Sequence, residues 1–145
     1  MDLDTLEIKG TMKVLIVDDS EIVRERLKAM LLEVPQVETI SQAKDQQEAT
    51  ELLRDLNPEV MVLDIQMPGG SGIDLLRKAK KEPRPPLLIV LTNLSYLQYR
   101  KKCMDTGADF FFDKSTEFDK VAQVIKKVSN PCPRSTGNKK ILAKE

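Results

Sequence analysis

The chain contains no histidine. That absence excludes zinc centres with imidazole ligands, Ser–His and Cys–His nucleophilic catalysis, and any phosphohistidine carried by the chain itself. Cysteine is scarce too. Cys103 and Cys132 stand far apart with no C-x-x-C, so they read as free thiols of a reducing cytoplasm, a single bridge being the other arrangement open to them. There is no excess of either charge, with 23 Lys+Arg against 23 Asp+Glu, and nothing global points to nucleic acid or an anionic membrane as partner. No apolar run approaches the ~20 residues that span a bilayer, and the opening MDLDTLEIKG is acidic, unlike a secretory signal. The first apolar run is not followed by G-x-G-x-x-G, and there is no P-loop, which weighs against a nucleotide- or flavin-binding module.

What is present is alternation. Five short apolar runs, Met12–Val17, Val37–Ser41, Val60–Leu63, Leu87–Leu91 and Phe110–Phe112, are separated by amphipathic stretches. The first, third and fourth are continuously apolar and rich in Val, Ile and Leu, as expected of parallel strands buried on both faces. Val37–Ser41 is more polar and suits an edge.

Between the runs the 3–4 spacing predicts helices. Ser20 caps one carrying Ile22, Val23, Leu27, Met30, Leu31 and Val34, stopped by Pro35. Asp45 caps the next, with Ala49, Leu52, Leu53 and Leu56, ended by Asn57-Pro58. A third follows Gly69-Gly70-Ser71-Gly72 with Ile73, Leu75, Leu76 and Ala79, and a fourth runs near Ser95–Met104 to Thr106-Gly107. A fifth covers Thr116–Val128, burying Phe118, Val121, Ala122, Ile125 and Val128, with Asn130-Pro131 closing it. The expected fold is α/β, a (βα)₅ doubly wound parallel sheet of five strands in flavodoxin-like order. Residues 12–129 would form this domain, 1–11 an N-terminal extension, and 130–145 a basic, flexible tail too short for a DNA-binding domain.

Ligands of such sheets bind beyond the carboxyl ends of the strands. The polar residues at those ends are Asp18 and Asp19, Asp64, Thr92 and Lys114. An acid after a strand is commonly a helix cap, a threonine there commonly structural, and a lone lysine commonly a solvated group. Capping does not require their joint placement on four strand ends. Carboxylates with open positions suit a hard cation such as Mg²⁺, and one carboxylate can attack phosphorus to give an aspartyl phosphate. A lysine and a hydroxyl would then offset charge on the phosphoryl oxygens. Without a cation the three acids should repel, so Asp18→Ala or Asp19→Ala is expected to raise stability while abolishing phosphorylation.

The segments VLIVDDS, VMVLDIQMPGGSG, IVLTN and GADFFFDKS occur in order, and in this they resemble the receiver domain of two-component response regulators over about Met12 to Val128. The resemblance implies Asp64 as phosphoacceptor, Asp19 and Asp18 with the Gln66 backbone carbonyl as Mg²⁺ ligands, Lys114 as partner of the phosphoryl group, and Thr92 and Phe111 as switch residues. The donor would be a sensor histidine kinase or a histidine phosphotransfer protein. The output would be a protein contact through helix 4, strand 5 and helix 5, including Tyr96, Tyr99, Arg100, Phe111 and Lys120, or a phosphorylation-dependent homodimer. No direct DNA or membrane binding is expected, nor an enzymatic role beyond self-directed phosphotransfer and autodephosphorylation.

Four positions depart from the family pattern. Ser115 stands where proline is usual, so the usual cis peptide is not expected. Phe111 lacks the common tyrosine hydroxyl. Asn93 is larger than the small residue usual after the threonine and narrows access to the site. Gln66 and Leu94 occupy positions that tune dephosphorylation, Leu94 shielding the acyl phosphate so that its lifetime exceeds that of Leu94→Glu.

Two readings compete with a stand-alone receiver. One is the receiver of a truncated multidomain transcription regulator. The other is a Mg²⁺-dependent phosphatase of the haloacid dehalogenase type, disfavoured because it needs D-x-D, whereas Asp18 and Asp19 are adjacent.

Overall fold

The structure is a computed structural model and describes residues 8–67, 70–94 and 96–130. Ten elements alternate along the chain: β1 (Met12–Val17), α1 (Glu21–Leu31), β2 (Val37–Ala43), α2 (Gln46–Leu56), β3 (Val60–Leu63), α3 (Gly72–Lys80), β4 (Leu87–Thr92), α4 (Leu97–Thr106), β5 (Phe110–Asp113) and α5 (Lys120–Val128). The strands form one five-stranded sheet in the order β2-β1-β3-β4-β5, every neighbouring pair parallel. This is the doubly wound (βα)₅ architecture that the alternation predicts.

The period-2 geometry of strands divides the core in two. Val14, Ile16, Val60, Val62, Ile89 and Leu91 point to one face, where Leu27 and Leu31 of α1 and Val121, Ile125 and Val128 of α5 cover them. Leu15, Val17, Met61, Leu63, Leu88 and Val90 point to the other, under α2, α3 and α4. Because each central strand is buried on both sides, its sequence has no polar alternation to show. β2 lies at an edge of the sheet and is mostly half-buried or exposed, as its polarity predicts.

Helix ends follow local chemistry. The Ser20 hydroxyl accepts the Val23 N–H at 3.3 Å, and the Asp45 carboxylate accepts the Glu48 N–H at 2.9 Å. Asn57 ends α2 in a left-handed conformation, φ 48°, as a short polar residue can.

Two boundaries and one burial differ from the sequence expectation. α1 stops at Leu31, and Val34 reaches the core from the turn beyond, its N–H bonded to the Leu31 carbonyl at 3.0 Å. Ile22 is 81% exposed, because the buried stripe of α1 runs through Leu27 and Leu31, one helical turn apart. α5 begins at Lys120 rather than Thr116. The Asp113 carboxylate takes the Ser115 and Thr116 N–H groups at 2.7 and 3.3 Å and organises those residues as turns.

A short parallel pairing has no counterpart in the expectation. Ile8–Lys9 pairs in parallel with Ser129–Asn130, and Gly10, at φ 78°, turns the chain into β1. Cys103 is buried and free, and burial raises its thiol pKa to about 11. Cys132, Gly69, Ser95, the first seven residues and the tail from residue 131 lie outside the described residues. No helix among the described residues is long and apolar enough to cross a membrane.

Candidate functional site

In this strand order the chain leaves β1 for β2 on one side and β3 lies on the other, so the crevice opens at the carboxyl ends of β1 and β3. Backbone ladders, rather than mobile loops, place the residues there. The Asp18 N–H bonds the Ala43 carbonyl at 3.1 Å, and the Asp64 N–H bonds the Val17 carbonyl at 3.0 Å. The Lys114 N–H bonds the Thr92 carbonyl at 2.9 Å. Each ladder therefore continues one residue past its strand and carries a functional side chain with it.

Lys114 links the two acids. Its Nζ donates to Asp64 Oδ2 at 2.6 Å and to Asp18 Oδ2 at 2.8 Å, and all three side chains are nearly removed from solvent. The other oxygens are held by the main chain. Asp18 Oδ1 accepts the Ser20 N–H at 2.8 Å, and Asp64 Oδ1 accepts the Gln66 N–H at 2.9 Å. Burial raises the Asp18 pKa, and the bonds from Lys114 and the Ser20 N–H only partly oppose it. Burial works against the Lys114 ammonium too, but its bonds to Asp18 and Asp64 outweigh it and raise the pKa. Two carboxylates thus share one cation, which leaves an anionic excess in a buried place.

Thr92 is fully buried, and its Oγ1 accepts the Leu94 N–H at 3.2 Å. Leu94 is half-buried against the α3–α4 core. Asp19 lies beside Asp18 but is exposed. Among the described residues no three His, Cys, Asp or Glu side chains form a metal-holding group. The Gln66 side chain is exposed, and Gln66–Met67 pairs antiparallel with Gly70–Ser71.

Phe111, expected on the output face with a plain core phenylalanine of the fifth strand as the other reading, lies in the core. It is only 4% exposed, because strand alternation turns it inward to Val90, Cys103 and Ala108, while Phe110 and Phe112 pack on the opposite core. The Arg100 guanidinium covers its ring at 5.7 Å and donates to its carbonyl at 3.3 Å. Tyr96, Arg100 and Lys120 are exposed and Tyr99 is half-buried.

Two positions escaped sequence reasoning. A Cβ on Gly72 would lie 2.3 Å from Ile65 Cα and 2.8 Å from the Asp64 carbonyl oxygen. Only glycine lets α3 start against the backbone that carries Asp64; the Gly-rich run was a signal, but not of which glycine. Arg24 donates to the Asp18 carbonyl at 2.7 Å and to Gln42 at 2.9 Å, and nothing local marks it out from other helix arginines.

The profile of the response regulator receiver domain matches residues 14–126, and the chain belongs to that family. It is 36% identical to the sensory transduction protein LytT of Enterococcus faecalis over 81% of this chain and 48% of the relative. It is 33% identical to protein-glutamate methylesterase/protein-glutamine glutaminase 2 of Nitratidesulfovibrio vulgaris over 81% of this chain and 32% of that one. Among solved structures it is similar to the response regulator domain of Thermotoga maritima CheB, with a TM-score of 0.71 and 31% identity over 81% of this chain and 93% of that chain. The chain spans about a third to a half of the length of these curated relatives.

The relatives correct the expectation of no enzymatic role beyond self-directed phosphotransfer and autodephosphorylation. The Nitratidesulfovibrio protein and several others are named for an enzyme, and the match covers about a third of their length. Receiver residues encode the switch and carry no record of what it controls.

Proposed function

We propose that the chain is a phosphoryl-accepting switch in which Asp64 takes a phosphoryl group from a phosphohistidine on a sensor histidine kinase or histidine phosphotransfer protein. A carboxylate oxygen of Asp64 forms the new bond to phosphorus as the P–N bond breaks, its electron pair remaining on the donor imidazole. The observation that carries this reading is the Lys114 ammonium, 2.6 Å from Asp64 and 2.8 Å from Asp18, at the carboxyl ends of parallel strands. An ammonium already on Asp64 is placed to follow negative charge onto the phosphoryl oxygens.

Mg²⁺ fits the donor set. Asp18, Asp64, the exposed Asp19 and the Gln66 backbone carbonyl are all hard oxygen donors, and the shared ammonium leaves negative charge uncompensated. When bound, the ion neutralises charge on the transferring group. Thr92 is the switch hydroxyl. Its bond to the Leu94 N–H ties it to the segment leading into α4, so its movement towards a phosphoryl oxygen would draw that segment and α4 with it. Leu94, half-buried and bonded through its N–H to Thr92 Oγ1, would shield the acyl phosphate.

The output surface is the α4–β5–α5 face. Tyr96 is 65% and Leu97 78% exposed at the start of α4, and Arg100 of α4 and Lys120 of α5 are exposed too, a mixture of aromatic, apolar and basic groups suited to a protein partner or a second copy of the chain. Exposed Ile22, at the start of α1 beside the acids, offers the donor an apolar contact. A second reading, that the receiver controls a further domain of a longer chain, is favoured by the greater length of the relatives.

The test is incubation with Mg²⁺ and acetyl phosphate, followed by intact mass. Wild type should gain one phosphoryl group and Asp64→Asn none. Beryllofluoride should shift the amide resonances of Asp64, Thr92 and Lys114. No added mass and no shift in wild type would refute the reading.

A further inference from the structure

Two side chains that the phosphoryl chemistry does not use meet across the mouth of the site. The Ser115 hydroxyl donates to Asn93 Oδ1 at 3.2 Å. Asn93 directly follows Thr92, and Ser115 directly follows Lys114. The preceding pair is already joined, Lys114 N–H to the Thr92 carbonyl at 2.9 Å. The loops that present the switch hydroxyl and the ammonium are therefore stapled at two successive positions, once by backbone and once by side chains.

The Ser115 side of this staple is held firmly. The Ser115 N–H bonds Asp113 Oδ1 at 2.7 Å, the Asp113 N–H bonds Glu117 Oε1 at 3.0 Å, and the Glu117 N–H returns to the Asp113 carbonyl at 2.8 Å. This closed set of bonds fixes Ser115 as a donor of defined position. The Asn93 side is looser. Thr92 before it is held in the sheet, while Leu94 after it is tied back by its N–H bond to Thr92 Oγ1 at 3.2 Å. If Thr92 Oγ1 turns towards a phosphoryl oxygen, the Leu94 N–H bonded to it is drawn along, and the backbone carrying Asn93 moves away from Ser115.

The geometry points to an Asn93–Ser115 latch that holds the Thr92 loop over the Lys114 loop in the unphosphorylated protein and sets how fast Asp64 gains and loses a phosphoryl group. Asn93 and Ser115 are positioning residues in this account, acting through Thr92 and Lys114. The inference rests on Asp64 being the phosphoacceptor. The latch narrows the opening through which a small donor or a hydrolytic water reaches Asp64, and it opposes the Thr92 movement that accompanies phosphorylation. Both effects slow the cycle.

The test compares wild type, Asn93→Ala, Ser115→Ala, the double variant and Ser115→Thr. Labelling of Asp64 by acetyl phosphate with Mg²⁺, and its subsequent decay, are followed by intact mass. Each alanine variant should react and decay roughly threefold faster, the scale of one neutral hydrogen bond. The double variant should match either single one, because both remove the same contact. Ser115→Thr keeps the hydroxyl and should restore wild-type rates, which a merely structural role of the serine would not produce. Without any phosphodonor, amide hydrogen exchange at Leu94 and Lys114 should rise in both alanine variants. Unchanged exchange with normal wild-type labelling overturns the latch while leaving Asp64 as acceptor. Additive rate changes in the double variant overturn it as well. A wild type that takes no phosphoryl group overturns both readings together.

Discussion

Lys114 neutralises two buried carboxylates at once, and the consequences of removing it depend on pH. Lys114→Met leaves Asp18 and Asp64 adjacent and uncompensated, a loss on the order of 3 kcal/mol at pH 7. The deficit should shrink on acidification as Asp18, whose burial favours its neutral form, takes up a proton, which urea melts at pH 7 and pH 5 would show; a pH-independent deficit would contradict the electrostatic cause. In wild type the folded pKa of Lys114 lies above its ordinary value of 10.5. The stability it contributes is complete below pH 10.5 and is lost as pH rises through the folded value.

Asp18 titrates against the habit of ion-paired acids. Its folded pKa is raised above the ordinary 3.8 by burial, so its contribution is present below pH 3.8 and is lost as pH rises through the folded value. Asp18→Asn should therefore melt higher than wild type at pH 7 in metal-free buffer. Asp19 is exposed, and Asp19→Ala should change stability by no more than about 0.5 kcal/mol. The stabilisation expected on removing an acid should therefore appear at Asp18 and not at Asp19.

At the scale of elements, the sequence was readable wherever one short-range force acts alone. β1, β3 and β4 are apolar on both faces and lie where their runs lie; Ser20 and Asp45 cap helices that begin directly after them. It was less readable where a turn competes with a helix. The Asp113 carboxylate captures the Ser115 and Thr116 N–H groups and holds those residues as turns where the helix was expected to open, and no periodicity reports that. The start of α3 is the tightest junction. Gly72→Ala would place its Cβ within 2.3 Å of Ile65 Cα, backbone that cannot swing aside as a side chain would. It should cost about 2 kcal/mol and, by displacing the Asp64 backbone, slow phosphorylation several-fold. Wild-type labelling by acetyl phosphate in Gly72→Ala would show that α3 can retreat without moving Asp64.

For the whole molecule, the short parallel ladder between Ile8–Lys9 and Ser129–Asn130 joins the entry to β1 with the exit from α5. Deleting residues 1–9 should lower stability by about 1 kcal/mol, the worth of one or two net backbone hydrogen bonds. Amide exchange should rise at the end of α5 before it rises at α2, which is remote from the ladder. An unchanged urea midpoint would show that the pairing contributes nothing.

By itself the sequence determined the order and kind of the elements, the two-faced burial of the central strands and which polar residues stand at strand ends, because apolar periodicity and end-capping act over a few residues. The tertiary structure decided which of those polar residues meet. Asp18 and Lys114 are 96 positions apart, and Asp64 and Lys114 are 50 apart. Only the strand order β2-β1-β3-β4-β5 brings them within hydrogen-bond reach and leaves Asp19 in solvent, Phe111 in the core and Asn93 against Ser115. Such contacts are set by the register and stacking of whole elements, and no short stretch of chain encodes them.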